Sequence, residues 1–116
     1  MGQLSIHVLD TVSGRPAAGV AVALYRLASD GGRTLVRETR TNPAGRTEEP
    51  LLAADVWAAG TYELVFDVGG YFSGTGTPAS EPPFLDLVPV RFTMTEGRYH
   101  VPLLVSPFSY STYRGS

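Results

Sequence analysis

Apolar side chains recur at every second residue in five stretches of this chain: Leu4-Ile6-Val8, Val20-Val22-Leu24, Tyr62-Leu64-Phe66, Val88-Val90-Phe92-Met94 and Tyr99-Val101-Leu103-Val105. A period of two is that of a β-strand with one face against a core and the other outward. Gly and Pro, 13 and 9 in number, are spread between these stretches rather than clustered, so they punctuate a fold instead of marking disorder. Short strands separated by turn signals are the pattern of an all-β sandwich.

The strands are expected at Leu4–Asp10, Val20–Leu27, Thr34–Thr41, Thr61–Asp67, Leu85–Met94, Tyr99–Val105 and Ser109–Tyr113. Asp30-Gly31-Gly32 reads as a hairpin turn. Asn42-Pro43-Ala44-Gly45 fits a type I turn, with Pro presetting φ at its second position. Pro89 inside its strand implies an edge or a bulge. Two segments are ambiguous. Leu51–Ala59 is Ala-rich, follows Pro50 and ends at Gly60, so propensity favours a short helix there. Gly69–Gly76 holds too many glycines to read as a helix from propensity.

With 116 residues, 43% of them hydrophobic, the chain is expected to form one domain, residues 1–116, with a core of its own. A formal net charge of −2 argues against a nucleic-acid partner. All nine basic residues are Arg, and Lys and Cys are absent, which excludes Schiff-base chemistry, thiolate nucleophiles and disulfides. No apolar run is long enough to span a bilayer, and the start shows alternation rather than a signal-type run. The C-terminus is not a peroxisomal or retention tripeptide, so a soluble cytoplasmic protein is expected. The low charged fraction, 17%, hints at surface reserved for oligomer contacts.

Only two histidines are available for proton transfer near neutral pH, His7 and His100. Strand parity sends each away from the apolar set of its strand: His7 goes with Ser5 and Leu9, His100 with Pro102 and Leu104. An outer face mixing histidines with apolar residues is either ordinary surface or an interface that holds a site. Zinc would need further ligands, and no ligand spacing is present. Arg46, just after the Asn42–Gly45 turn, is either a solvated turn residue or a clamp for a carbonyl-rich or anionic planar substrate. Ser106, Ser109, Ser111 and Ser116 supply hydroxyls without a nucleophile elbow. A triad of Ser, Asp10 and either His is conceivable, and no spacing supports it. The polar run Tyr110–Arg114 reads as a blunted edge strand.

The C-terminal run from Tyr99-His100-Val101-Pro102 through Ser109-Tyr110-Ser111-Thr112 to Tyr113-Arg114-Gly115-Ser116 resembles the end of the 5-hydroxyisourate hydrolases, the transthyretin-related enzymes of urate breakdown. The closing tetrapeptide is the most specific part. His7-Val8-Leu9-Asp10 with Gly14 to Pro16, Thr41-Asn42 with Gly45-Arg46, Ala59-Gly60-Thr61-Tyr62, Phe66-Asp67 and Tyr71-Phe72 extend the resemblance over essentially the whole chain.

The resemblance implies a transthyretin-like sandwich of two four-stranded sheets with one short helix after the Thr61–Asp67 strand, near Gly69–Gly76. It implies a homotetramer, a dimer of dimers, with active sites in the channel between dimers. His7, Arg46 and His100 match the family's catalytic residues, and Tyr113, Arg114, Gly115 and Ser116 match a substrate-binding tail supplied across a subunit interface. The implied reaction opens a ring lactam of 5-hydroxyisourate by His-assisted attack of water, without metal or cofactor. Departures lie at Pro43-Ala44 and Gly69-Gly70 and touch none of the matched site residues. The rival reading is a transthyretin-like hormone carrier, which would share the sandwich and lack the His7, Arg46, His100 and Tyr-Arg-Gly-Ser constellation.

Overall fold

The computed structural model describes residues 3–115. Eight strands and one helix follow in the order β1 (Gln3–Asp10), β2 (Arg15–Pro16), β3 (Ala21–Leu27), β4 (Arg33–Arg40), β5 (Gly60–Asp67), α1 (Val68–Thr75), β6 (Leu87–Met94), β7 (Arg98–Val105) and β8 (Tyr110–Thr112). They form two four-stranded sheets, ordered β2-β1-β7-β8 and β4-β3-β5-β6. All pairings are antiparallel except β1 with β7, which run parallel.

The period-two apolar sets face each other between the sheets. Leu4, Ile6, Val8, Val101, Leu103 and Val105 come from one sheet, and Val22, Leu24, Tyr62, Leu64, Phe66, Val88, Val90 and Met94 from the other. Each such side chain removed from water stabilises the fold by about 1.5–3 kcal/mol, before the entropy of ordering the chain is counted. The turns also follow the sequence. Gly31 has φ 90° at the tip of the β3–β4 hairpin, and Gly32 N–H donates to Asp30 Oδ1 at 2.9 Å. Pro89 lies on β6, an edge strand, where a missing N–H costs no ladder bond.

The helix is where propensity argued against it. Leu51–Ala59 is an irregular loop containing a single turn, in which Val56 N–H donates to Ala53 C=O. Leu51 and Leu52 are both buried as anchors of that loop, and the Ala58 carbonyl accepts from the Tyr62 hydroxyl at 2.7 Å instead of continuing a helical ladder. The helix occupies Val68–Thr75, with Asp67 as its N-cap accepting from Gly70 N–H and Gly76 as its left-handed C-cap. Its glycines answer to packing: a Cβ at Gly69 would sit 2.8 Å from Asp86 Oδ1 and 3.2 Å from the Leu85 carbonyl oxygen. The helix start is also tied to that segment, since Val68 and Gly69 N–H both donate to the Asp86 carbonyl. Close approach therefore outweighs the roughly 1 kcal/mol that a helical Gly costs. Among the described residues no helix is long and apolar enough to cross a membrane.

Candidate active site

The site is built on the parallel pair β1–β7. In its register Ser5 stands opposite His100 and His7 opposite Pro102, so the two histidines share the outer face of one sheet, one step apart on neighbouring strands. Both are half-buried, as are Leu9 and Leu104 on the same face, while Pro102 is buried. Ser5 Oγ lies 2.8 Å from His100 Nδ1.

Arg46 reaches this face because its turn is fastened to the edge of β1. The Gly45 carbonyl accepts from Val8 N–H at 2.9 Å, next to His7. The turn closes on Asn42: its C=O accepts from Gly45 N–H at 2.8 Å, and its side-chain oxygen accepts from Ala44 and Arg46 N–H. Gly45 has φ 75°, and a Cβ there would lie 2.5 Å from the Val8 carbonyl oxygen and 3.2 Å from His7 Cδ2. Gly is thus required twice, by the left-handed backbone and by the closeness of β1.

The C-terminal tail is shaped by Pro102. Along β7 the backbone groups of His100, Pro102 and Leu104 face β8: Leu104 pairs with Ser111, and the Pro102 carbonyl accepts from Thr112 Oγ1 at 2.7 Å. Pro102 has no N–H to offer there, so β8 ends at Thr112 and the chain leaves the ladder. It returns at Gly115, whose N–H donates to the His100 carbonyl at 2.7 Å. The Arg114 guanidinium stacks 4.0 Å above the Tyr99 ring, and its Nη2 donates to the Arg98 carbonyl. Gly115 settles against the His100 ring so closely that a Cβ would come within 2.6 Å of Cδ2. Tyr113 turns away, 60% exposed, toward a groove lined by Phe92, Val101 and Arg114. Ser116, the last residue of the matched tail, lies outside the described residues.

A cleft of about 330 Å³ is lined by Gln3, Ser5, Arg46, Arg98, Tyr99 and His100. A larger groove of about 530 Å³ on the outer face of the second sheet, over Ala21 and Ala23, brings no histidine near it. The smaller cleft is lined by a histidine and two arginines, a set suited to proton transfer and to anionic groups. His100 is held below the usual 6.5 of an imidazole, first by burial, then by the positive charges of Arg46 and His7. A neutral imidazole beside a permanent guanidinium can accept a proton while the guanidinium stabilises a developing oxyanion.

Asp10 joins neither histidine. It ends the inward-facing set of β1, only 2% exposed. Its carboxylate accepts from Val12 and Ser13 N–H and from the Tyr71 hydroxyl. The conceivable Ser-His-Asp triad is thus separated by the thickness of the sheet. Among the described residues no three His, Cys, Asp or Glu side chains are grouped to hold a metal ion.

The pairing of Ser5 with His100 and the contributions of Gln3 and Arg98 go beyond the residues picked out in the sequence, where Gly45 and Tyr99 have a place in a turn and a strand but no role at a site. Alternation already places Ser5 on the face of His7. Only the β1–β7 register shows that its neighbour is the other histidine.

A family model described as the HIUase/Transthyretin family matches residues 4–115. A 5-hydroxyisourate hydrolase of Mesorhizobium japonicum is 56% identical over 99% of this chain and 93% of its own. The crystal structure of an (S)-allantoin synthase superposes with a TM-score of 0.92 at 47% identity, over 99% of this chain; this chain spans 44% of that longer one. Transthyretin from Sparus aurata superposes with a TM-score of 0.87 at 32% identity, over 97% of this chain and 96% of its own. A match running from the first strand through Gly115 and taking in both histidines leaves one conclusion, that the chain belongs to the HIUase/Transthyretin family.

Proposed function

We propose that this protein is a cyclic-amide hydrolase that converts 5-hydroxyisourate to 2-oxo-4-hydroxy-4-carboxy-5-ureidoimidazoline in urate degradation. The observation that carries the reading is the meeting of His7, Arg46 and His100 at one face of the first sheet, in a chain 56% identical along its length to a named 5-hydroxyisourate hydrolase. The transthyretin likeness is lower, at 32% identity, and accounts for the shared sandwich.

In the proposed reaction Arg46 holds the substrate's carbonyl oxygens and stabilises the oxyanion. Water adds to the lactam carbonyl carbon and gives its proton to one histidine. The carbon–nitrogen bond then breaks, the leaving nitrogen takes a proton from the other, and the new carboxyl group ionises. Tyr113, Arg114, Gly115 and Ser116 orient substrate or water. Neither a metal nor an organic cofactor enters this scheme.

We further propose that the whole chain acts as one transthyretin-like domain in a cytoplasmic homotetramer, a dimer of dimers with the His7–His100 face lining the channel between dimers. The half-buried apolar residues beside the histidines and the uncovered edges of β6 and β8 support that assembly.

The test is spectroscopic. 5-Hydroxyisourate made freshly with urate oxidase is followed by its ultraviolet decay. Micromolar protein should accelerate the decay well beyond the spontaneous rate, and His100→Asn should lose most of that acceleration. No acceleration by the unaltered protein sinks the enzyme reading. Saturable binding of a small hydrophobic hormone without turnover would instead favour the carrier reading, which the transthyretin likeness keeps in view.

A further inference from the structure

We infer that Ser5 is a positioning residue: its hydroxyl accepts from His100 Nδ1–H and so holds the ring with Nε2 open to take a proton from the attacking water. The inference rests on the proposed hydrolysis, and it assigns a role that neither the family match nor the tail motif supplies.

Geometry leads to it. Ser5 is the direct cross-strand neighbour of His100 in the β1–β7 register, and its Oγ lies 2.8 Å from Nδ1, which leaves Nε2 as the ring nitrogen for the cleft. The ring is held on two further sides. Gly115 packs against Cδ2, and Gly115 N–H fixes the backbone carbonyl of His100 itself. A serine hydroxyl can serve an imidazole nitrogen as donor or acceptor, and each choice gives the site a different chemistry. If Ser5 donated, Nε2 would carry the ring's proton, and a neutral ring would have to become an imidazolate to act as an acid. If Ser5 accepts, Nε2 has a lone pair, and the same bond persists when the ring becomes an imidazolium. Burial first, then Arg46 from the turn and His7 from β1, hold the ring below the usual imidazole value, and Arg98 of its own strand lines the same cleft. A neutral ring allows either arrangement, and only the accepting hydroxyl leaves Nε2 a lone pair to take the proton from water that the proposed hydrolysis requires.

In the step itself, one O–H bond of water breaks as its oxygen bonds the carbonyl carbon, and that proton joins Nε2. Nδ1–H stays on Ser5 and becomes a charge-assisted bond in the transition state, stronger than in the ground state. His7 is then the group that protonates the leaving nitrogen.

The experiment compares the wild type, Ser5→Ala and Ser5→Thr. Ser5→Ala should lower kcat about 10- to 100-fold, the worth of one hydrogen bond to a charged group. KM should change less than about threefold, since the bond strengthens only as charge develops. Without the accepting oxygen the imidazolium is less stable, so the acidic limb of kcat should move to lower pH. Ser5→Thr, which keeps the hydroxyl, should restore most of kcat and the position of the limb. In parallel, nitrogen-15 NMR of His100 should show the Nδ1–H tautomer in the wild type and a mixture with Nε2–H in Ser5→Ala. An Nε2–H tautomer in the wild type, an unmoved limb in Ser5→Ala, or failure of Ser5→Thr to restore kcat would each overturn the assignment. If the wild type shows the Nδ1–H tautomer but does not hydrolyse 5-hydroxyisourate, the hydrolase reading fails on its own and the base role falls with it.

Discussion

Gly115 shows how tightly individual residues are specified around His100. Its absent Cβ is the space the imidazole occupies, with 2.6 Å to Cδ2, and its φ lies outside the left-handed range. Gly115→Ala is therefore a test of ring placement rather than of backbone strain. It should lower kcat/KM about 10- to 100-fold by pushing the ring off its axis. Tm should hardly change, because the residue lies outside the hydrophobic core and its backbone is not left-handed. Loss of stability in step with activity would contradict this. The histidines and their common face were legible in the sequence because parity alone decides which side of a strand a residue takes. The partner of His100 was not, because alternation within one strand carries no information on its register with another. Tyr113 belongs to the same matched tail as Gly115, yet within one chain it lines a groove with Phe92 and Val101 instead of the cleft beside His100, a separation that motif matching does not encode.

At the scale of elements, one side-chain bond ties the helix to the first sheet. The Tyr71 hydroxyl of α1 donates to Asp10 Oδ2 at the end of β1, 2.8 Å away. The Tyr71 phenol is pushed up to about 12 by burial first, then by the bond to Asp10 and its negative charge. The folded state therefore keeps the proton through a range where the unfolded chain releases it. The stabilisation is complete below the ordinary value of 10 and is lost as pH rises toward 12. Tyr71→Phe should cost about 1.5–3 kcal/mol at neutral pH, read from denaturant unfolding. It should also flatten the fall in stability between pH 10 and 12; an equally steep fall would show that another group titrates there. Most strands were legible, because period two and Gly- or Pro-containing turns leave little choice between them. The helix was not: Gly69 and Gly70 are explained by Asp86 and Asp67 lying close in space, which no local propensity encodes. The loop at 51–59 erred the other way, since its two buried leucines answer to the sandwich rather than to their neighbours in sequence.

For the whole molecule, the uncovered surfaces bear on how chains assemble. Beyond the site face, Phe84, Leu87, Phe108 and Tyr110 are exposed, with the two phenylalanine rings 6.2 Å apart. Sheet edges and apolar rings left uncovered are the surfaces from which the proposed tetramer would be built. Sedimentation at micromolar concentration should give the mass of four chains, and activity per chain should drop on dilution into the monomer range. A stable monomer with full activity would contradict a shared channel. One property needs no partner. Ser5 and His100 lie 95 residues apart in the chain and meet only in the β1–β7 pair. During synthesis the first strand waits for β7 to be made, so a chain that stops before β7 holds one histidine without the other. Under the proposed mechanism, activity measured in a cell therefore counts only those chains in which β1 has found β7.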